Sequence, residues 1–168
     1  MMEPKLVARE KRHLEPDSWL RFFRCYFPVI AVLNLCWEAA QLPLYTIWTE
    51  GSTGQRLFAI LHCTAGDLLI SVASLVVALI LAGNGWPVRR SAYWWVAGLT
   101  LLAGLGYAVF SEWLNVAVRH SWAYSELMPI VPILNLGLSP LAQWILVPAL
   151  GFSLTRRWTA RGDALRFE

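Results

Sequence analysis

Four apolar stretches, residues 25–44, 57–81, 92–116 and 129–154, decide what this chain can become. About 20 predominantly apolar residues are enough for a helix to cross the hydrocarbon of a bilayer, and each stretch reaches that length. Every backbone N–H and C=O in hydrocarbon must be satisfied within the protein, so stretches of this kind are expected to be α-helical. The composition agrees: 57% of residues are hydrophobic and only 15% charged, against about 45–50% and about 25% in average globular proteins. The four stretches fill more than half of the 168 residues and leave no room for a separate soluble domain. The predicted fold class is therefore all-α integral membrane, a four-helix up-down-up-down bundle. A charged tail, 1–24, precedes the membrane domain, 25–154, and a second tail, 155–168, follows it. The first stretch is too long for the 7–15-residue core of a signal peptide, so it is read as a retained helix.

Basic residues orient the bundle. Lys5, Arg9, Lys11, Arg12, Arg21 and Arg24 precede the first span, Arg89 and Arg90 lie between the second and third, and Arg156, Arg157, Arg161 and Arg166 follow the fourth. The two remaining connections hold only Arg56 and Arg119. The positive-inside rule places the richer side, and with it both termini, in the cytoplasm. This asymmetry accounts for the basic character of the chain without a nucleic-acid partner. Trp19, Trp86, Tyr93, Trp94, Trp95 and Trp158 are expected to form a cytoplasmic aromatic belt, and Tyr45, Trp48, Trp113, Trp122 and Tyr124 an outer one. Trp37 and Trp144 fall inside spans, where no belt explains them. Cys25, Cys36 and Cys63 show no C-x-x-C pairing and read as small buried residues.

Against this apolar background, Glu38, Asp67 and Glu112 stand out. An ionised carboxylate at the centre of a span costs roughly 2.5–3.5 kcal/mol on insertion scales, so such residues face the bundle interior and mark functional sites. At 1.5 Å per residue, Glu38 lies about 20 Å from the inner start of its span, and His62 and Asp67 about 8 and 15 Å below the outer start of theirs. Glu112 and Asn115 come at the outer end of span three, and Asn135 about 9 Å below the outer end of span four. Apart from Gln143, which is deeper, the polar residues crowd into the outer half. Helical spacing sorts them into stripes: Asn34, Glu38 and Gln41; Cys63, Asp67, Ser71 and Ser74; Glu112, Asn115 and Arg119. Pro129 and Pro132 are expected in the first turn of span four, with Pro140 and Pro148 kinking it further in. Gly104 and Ala108 form a small-xxx-small pair suited to close helix approach.

Three chemistries fit these residues. Glu38, His62, Asp67 and Glu112 could act as general acids and bases, with Trp37, Gln41, Asn115, Trp122, Tyr124, Asn135 and Gln143 shaping a pocket for a small or lipid-like ligand. The same four side chains could ligate Zn, Fe or Mn, a set suited to oxygen and imidazole donors, although neither H-E-x-x-H nor paired Glu-x-x-His motifs are present. Alternatively the polar groups bond across helices, in a structural or accessory subunit, at only about 0.6 kcal/mol each. Acid–base handling of a lipid-like ligand is the reading carried forward. No Gly-rich phosphate loop or Ser-His-Asp order is present. Expected partners are the bilayer, such a ligand, and a second copy in a homo-oligomer.

Two sequence segments carry a resemblance. Ser111-Glu-Trp-Leu-Asn115 through Ser121-Trp-Ala-Tyr-Ser-Glu-Leu-Met-Pro129, extended by Gly137-Leu-Ser-Pro-Leu-Ala-Gln-Trp144, resembles uncharacterised four-span proteins of the bacterial inner membrane. The resemblance implies location and span number, and it implies no activity. In architecture and composition the chain is also similar to the emopamil-binding group of sterol isomerases, whose intramembrane site uses Glu, His, Asn and Trp. No motif aligns, so no residue is carried over.

Overall fold

A computed structural model describes residues 16–83 and 85–164. The basic residues of 1–15 and Arg166 lie outside the described residues. Among the described residues four helices are long and apolar enough to cross a membrane, as in a multi-pass helical protein in contact with the bilayer. They are α1 (Pro16–Gln41), α2 (Thr53–Ala82), α3 (Arg90–Glu112) and α4 (Leu138–Ala164). Each packs on the next and α4 closes back on α1, so the four form a ring.

Local sequence sets the boundaries. α1 is already helical at Pro16, well before the expected start at residue 25. Ser52 caps α2: its hydroxyl accepts from the Gln55 N–H while the Gln55 side chain accepts from the Ser52 N–H. This capping box fixes the start of the second span. Gly83 and Gly85 end α2 at φ +67° and +108°, which only glycine adopts freely.

The largest departure concerns span four. Residues 129–137 are not its first turns. They form a short antiparallel hairpin, Ile130–Val131 paired with Leu136–Gly137, and α4 starts only at Leu138. Pro129 and Pro132 deny the backbone two N–H groups and disfavour helix in the residues before them. Asn135 turns the hairpin at φ +53°, a conformation asparagine tolerates. Pro140 takes the first-turn position of α4, so only Pro148 lies deep in that helix.

The two ends of the ring are built differently. At the end carrying residues 83–89, the Trp86 end, aromatic rings fill the core. Phe22 packs on Trp86 at 4.5 Å between centroids and on Tyr26 at 5.0 Å, with Tyr93 and Phe152 around them. The Tyr93 hydroxyl donates to the Phe152 carbonyl at 2.6 Å. Trp86 and Tyr93 are thus core residues and not members of an interfacial belt; Trp19, Trp94, Trp95 and Trp158 remain exposed. Trp144 is explained by packing too. Its ring lies over Gly104, where a Cβ would clash with it.

At the opposite end, the hairpin end, the connection after α3 crosses the one after α1. Tyr45 bridges to Tyr124, Thr46 N–H donates to Ala123 O at 3.0 Å, and Ser125 N–H donates to Leu44 O at 2.9 Å. Gly137 accepts the Tyr124 ring and Met128 Sδ so closely that a Cβ would clash with both.

Candidate functional site

Just below that crossing, polar side chains from three helices meet. The Asn34, Glu38 and Gln41 stripe of α1 faces inward as its spacing predicts, and all three side chains are buried. Asp67 comes from α2 and Gln143 from α4, both buried. Gln143 is the hub. Its Nε2 lies 2.7 Å from Asp67 Oδ2, 3.0 Å from Glu38 Oε1 and 3.0 Å from Asn34 Oδ1. An amide nitrogen has two hydrogens, so three acceptors crowd a group that can serve two at once.

Gln41 supports the hub. Its Nε2 donates to Glu38 Oε1 at 2.7 Å and to Gln143 Oε1 at 3.2 Å. Its Oε1 accepts from Trp37 Nε1 at 3.2 Å and from Ser139 Oγ at 2.8 Å. Both glutamine orientations are thereby fixed, since each amide oxygen and nitrogen has its own complementary partner. Glu38 and Asp67 thus meet at one amide nitrogen, Gln143 Nε2, although they come from different helices.

A second centre lies nearer the hairpin. Tyr124 donates its hydroxyl to Glu112 Oε2 in a short bond. The indole Nε1 of nearby Trp122 is buried without a hydrogen-bond partner. Tyr45, its ring 5.6 Å from that of Tyr124, lies within range of the Glu112 and Glu38 charges. Burial pushes the Tyr45 and Tyr124 hydroxyls above their ordinary range, and for Tyr124 the bond to Glu112 adds to the effect. Both phenols are therefore donors at neutral pH.

Other anticipated residues stand elsewhere. His62 is exposed and stacks on Phe58 at 5.3 Å. It lies five residues from Asp67, which on a helix is about 140° round the axis, so the two cannot share a face. Asn135 is the exposed hairpin turn. Asn115 bonds back to Ser111, to its carbonyl at 2.9 Å and its hydroxyl at 3.3 Å. The reason is local: Trp113–Val118 is a π-helical turn, closed by Arg119 N–H to Leu114 O. Its i→i+5 bonds shift the phase of the stripe, so Asn115 and Arg119 rotate away from Glu112. Among the described residues no three of His, Cys, Asp and Glu stand close enough together to hold a metal ion, so the four-residue Zn, Fe or Mn set does not converge.

The site also contains residues that sequence spacing did not single out. Ser139 falls inside the 129–154 stretch on none of the polar stripes, and only the packing of α4 on α1 brings it to Gln41. Tyr45 reads as a belt aromatic, and only the bridge between the two connections brings it to Tyr124 and the Glu112 centre.

Comparison with protein-family models, with curated proteins and with solved structures finds no match to this chain.

Proposed function

We propose that this protein is a multi-pass membrane protein that binds or processes a small, lipid-like ligand by acid–base chemistry at Glu38 and Asp67. In this reading the bundle runs up-down-up-down with both termini in the cytoplasm of a bacterial cell, as the basic-residue asymmetry indicates. The site then lies in the outer half of the inner membrane.

One observation carries the proposal: Gln143 holds two carboxyl groups from different helices against one another in a buried place. Helix glue does not require this. A single amide pair would join α1 to α4, and carboxyls add cost inside a span. Two adjacent carboxyls sharing one proton provide an acid and a base a few ångströms apart, the arrangement general acid–base chemistry needs. Gln41 and Gln143 orient the pair, and Trp37 and Ser139 fix Gln41. Tyr124, Trp122 and Glu112 close the outer side, where Tyr45 supplies a further donor.

The test uses protein in lipid nanodiscs, incubated in deuterated water with a membrane lipid extract, beside Glu38→Gln and Asp67→Asn. Acid–base processing exchanges ligand hydrogens with solvent. The expected result is deuterium in a lipid fraction, or a co-purifying ligand, for the wild type and not for either variant. Neither deuterium nor retained ligand above the variants' level would overturn the proposal.

A further inference from the structure

Away from the carboxyls, at the Trp86 end, arginines from two helices flank one pair of aromatic rings. Arg156 of α4 lays its guanidinium over Tyr93, 5.0 Å from the ring centroid, and 5.8 Å from that of Trp94. Both rings belong to the first turns of α3, so this contact bridges the α3–α4 seam. Arg90 opens α3 three residues before Tyr93 and four before Trp94, spacings that share one helix face. Helix side chains lean towards the N-terminus, so both rings cover the turn that Arg90 occupies.

The protein does not offset this charge. Among the described residues Arg90, Arg156 and Arg157 form no ion pair. Like charges gathered in one place repel, and an anion between them replaces repulsion with charge-assisted bonds. The positive-inside rule accounts for how many basic residues lie at this end, and it asks nothing of their placement. Arg156 is placed. Stacking engages the face of its guanidinium and leaves the in-plane N–H fork, whose geometry suits a phosphate.

The surface beyond the arginines indicates what carries the phosphate. Tyr93 donates to the Phe152 carbonyl and Trp144 lies over Gly104, and these two contacts set the register of α3 on α4. The same register puts Gly98 level with Ala149. Both are exposed, and nothing lies within 4 Å of where a Gly98 Cβ would stand. From the Trp86 end inward the seam thus runs from guanidinium through the exposed indole of Trp94 to a shallow apolar track. A phospholipid has the same order of phosphate, ester region and acyl chain. From this arrangement we propose that the α3–α4 seam binds an anionic phospholipid. Its phosphodiester lies between Arg90 and Arg156, and one acyl chain lies over Gly98 and Ala149. A soluble anion would use the arginines and leave the track empty. The inference stands apart from the acid–base site.

The experiment is native mass spectrometry of the full chain in mild detergent, titrated with phosphatidylglycerol or with phosphatidylcholine of the same acyl chains. Phosphatidylglycerol is expected to bind in preference. Arg156→Gln and Arg90→Gln are each expected to weaken it about fivefold, the effect of one basic residue at a membrane surface. Arg90 is exposed at a helix start, so its substitution leaves the ring of helices intact. Arg157→Gln is the decisive control, since it removes an equal charge about 100° round α4 from Arg156. It is expected to bind as the wild type does. Equal retention of the two lipids would overturn the proposal. So would a loss in Arg157→Gln as large as in Arg156→Gln, which would mean that the charge of this end acts as a whole. Displacement of phosphatidylglycerol by an equal concentration of inorganic phosphate would assign the arginines to a soluble anion and overturn it too.

Discussion

At the Trp86 end the helices meet through Phe22, Tyr26, Trp86, Tyr93 and Phe152, and at the hairpin end through Asn34, Glu38, Asp67 and Gln143. Both ends are buried, but they hold the bundle in different ways. Lipid tails are as apolar as side chains, so ring packing contributes dispersion contacts without a hydrophobic drive. Those contacts are numerous and spread over many ring pairs, and losing one leaves the others. The polar end depends on a few directed bonds through one amide. Removing that amide strands charged or acidic groups in low dielectric, where an unmade bond is costly. The ring end therefore supplies tolerant packing, and the polar end supplies geometry.

The sharpest way to break this comparison is Gln143→Leu. It leaves Asp67, Glu38 and Asn34 without their shared donor, and we expect a loss of about 3 kcal/mol in unfolding free energy measured in mixed micelles. In a Glu38→Gln, Asp67→Asn background the same substitution is expected to cost about 1 kcal/mol, because the carboxyls it strands are gone. Equal costs in both backgrounds would show that Gln143 acts by packing.

Phe152→Ala probes the other end. A loss of about 2 kcal/mol is expected, independent of the carboxyl substitutions, since the ring touches none of them. Tyr93→Phe should cost less, about 0.6–1 kcal/mol, for the single bond to the Phe152 carbonyl.

The smallest effect is at alkaline pH. Tyr124 binds its proton more tightly in the folded protein than its ordinary value of 10.0. That contribution is fully present below pH 10 and is lost as pH rises towards the folded value. Thermal melts above pH 10 are expected to fall less steeply for Tyr124→Phe, with a residual slope from Tyr45. Identical slopes would remove Tyr124 from the hairpin-end network.

Much of the bundle was legible in the sequence because length and apolarity alone demand spans. The α1 stripe was legible for the same reason: Asn34, Glu38 and Gln41 keep helical spacing in an unbroken helix. Where the backbone departs from a plain α-helix, the reading failed. The π-helical turn after Glu112 moved Asn115 off its stripe, and the hairpin took Asn135 out of span four. Neither break has a sequence signal as strong as twenty apolar residues. His62 failed for another reason, since nearness along the chain does not place side chains on one face. Tyr45 was invisible because its role depends on which connections cross, and Ser139 because its role depends on how α4 packs on α1, both tertiary properties.

The central claim is that Glu38 and Asp67 share one proton within the bundle. Infrared spectroscopy of the protein in nanodiscs tests it most directly, with exchange into deuterated water to identify carboxylic acid bands. A deuterium-sensitive protonated-carboxyl band is expected, lost in both Glu38→Gln and Asp67→Asn while helicity is unchanged. Absence of the band in the wild type, or a band that survives both substitutions, would contradict it.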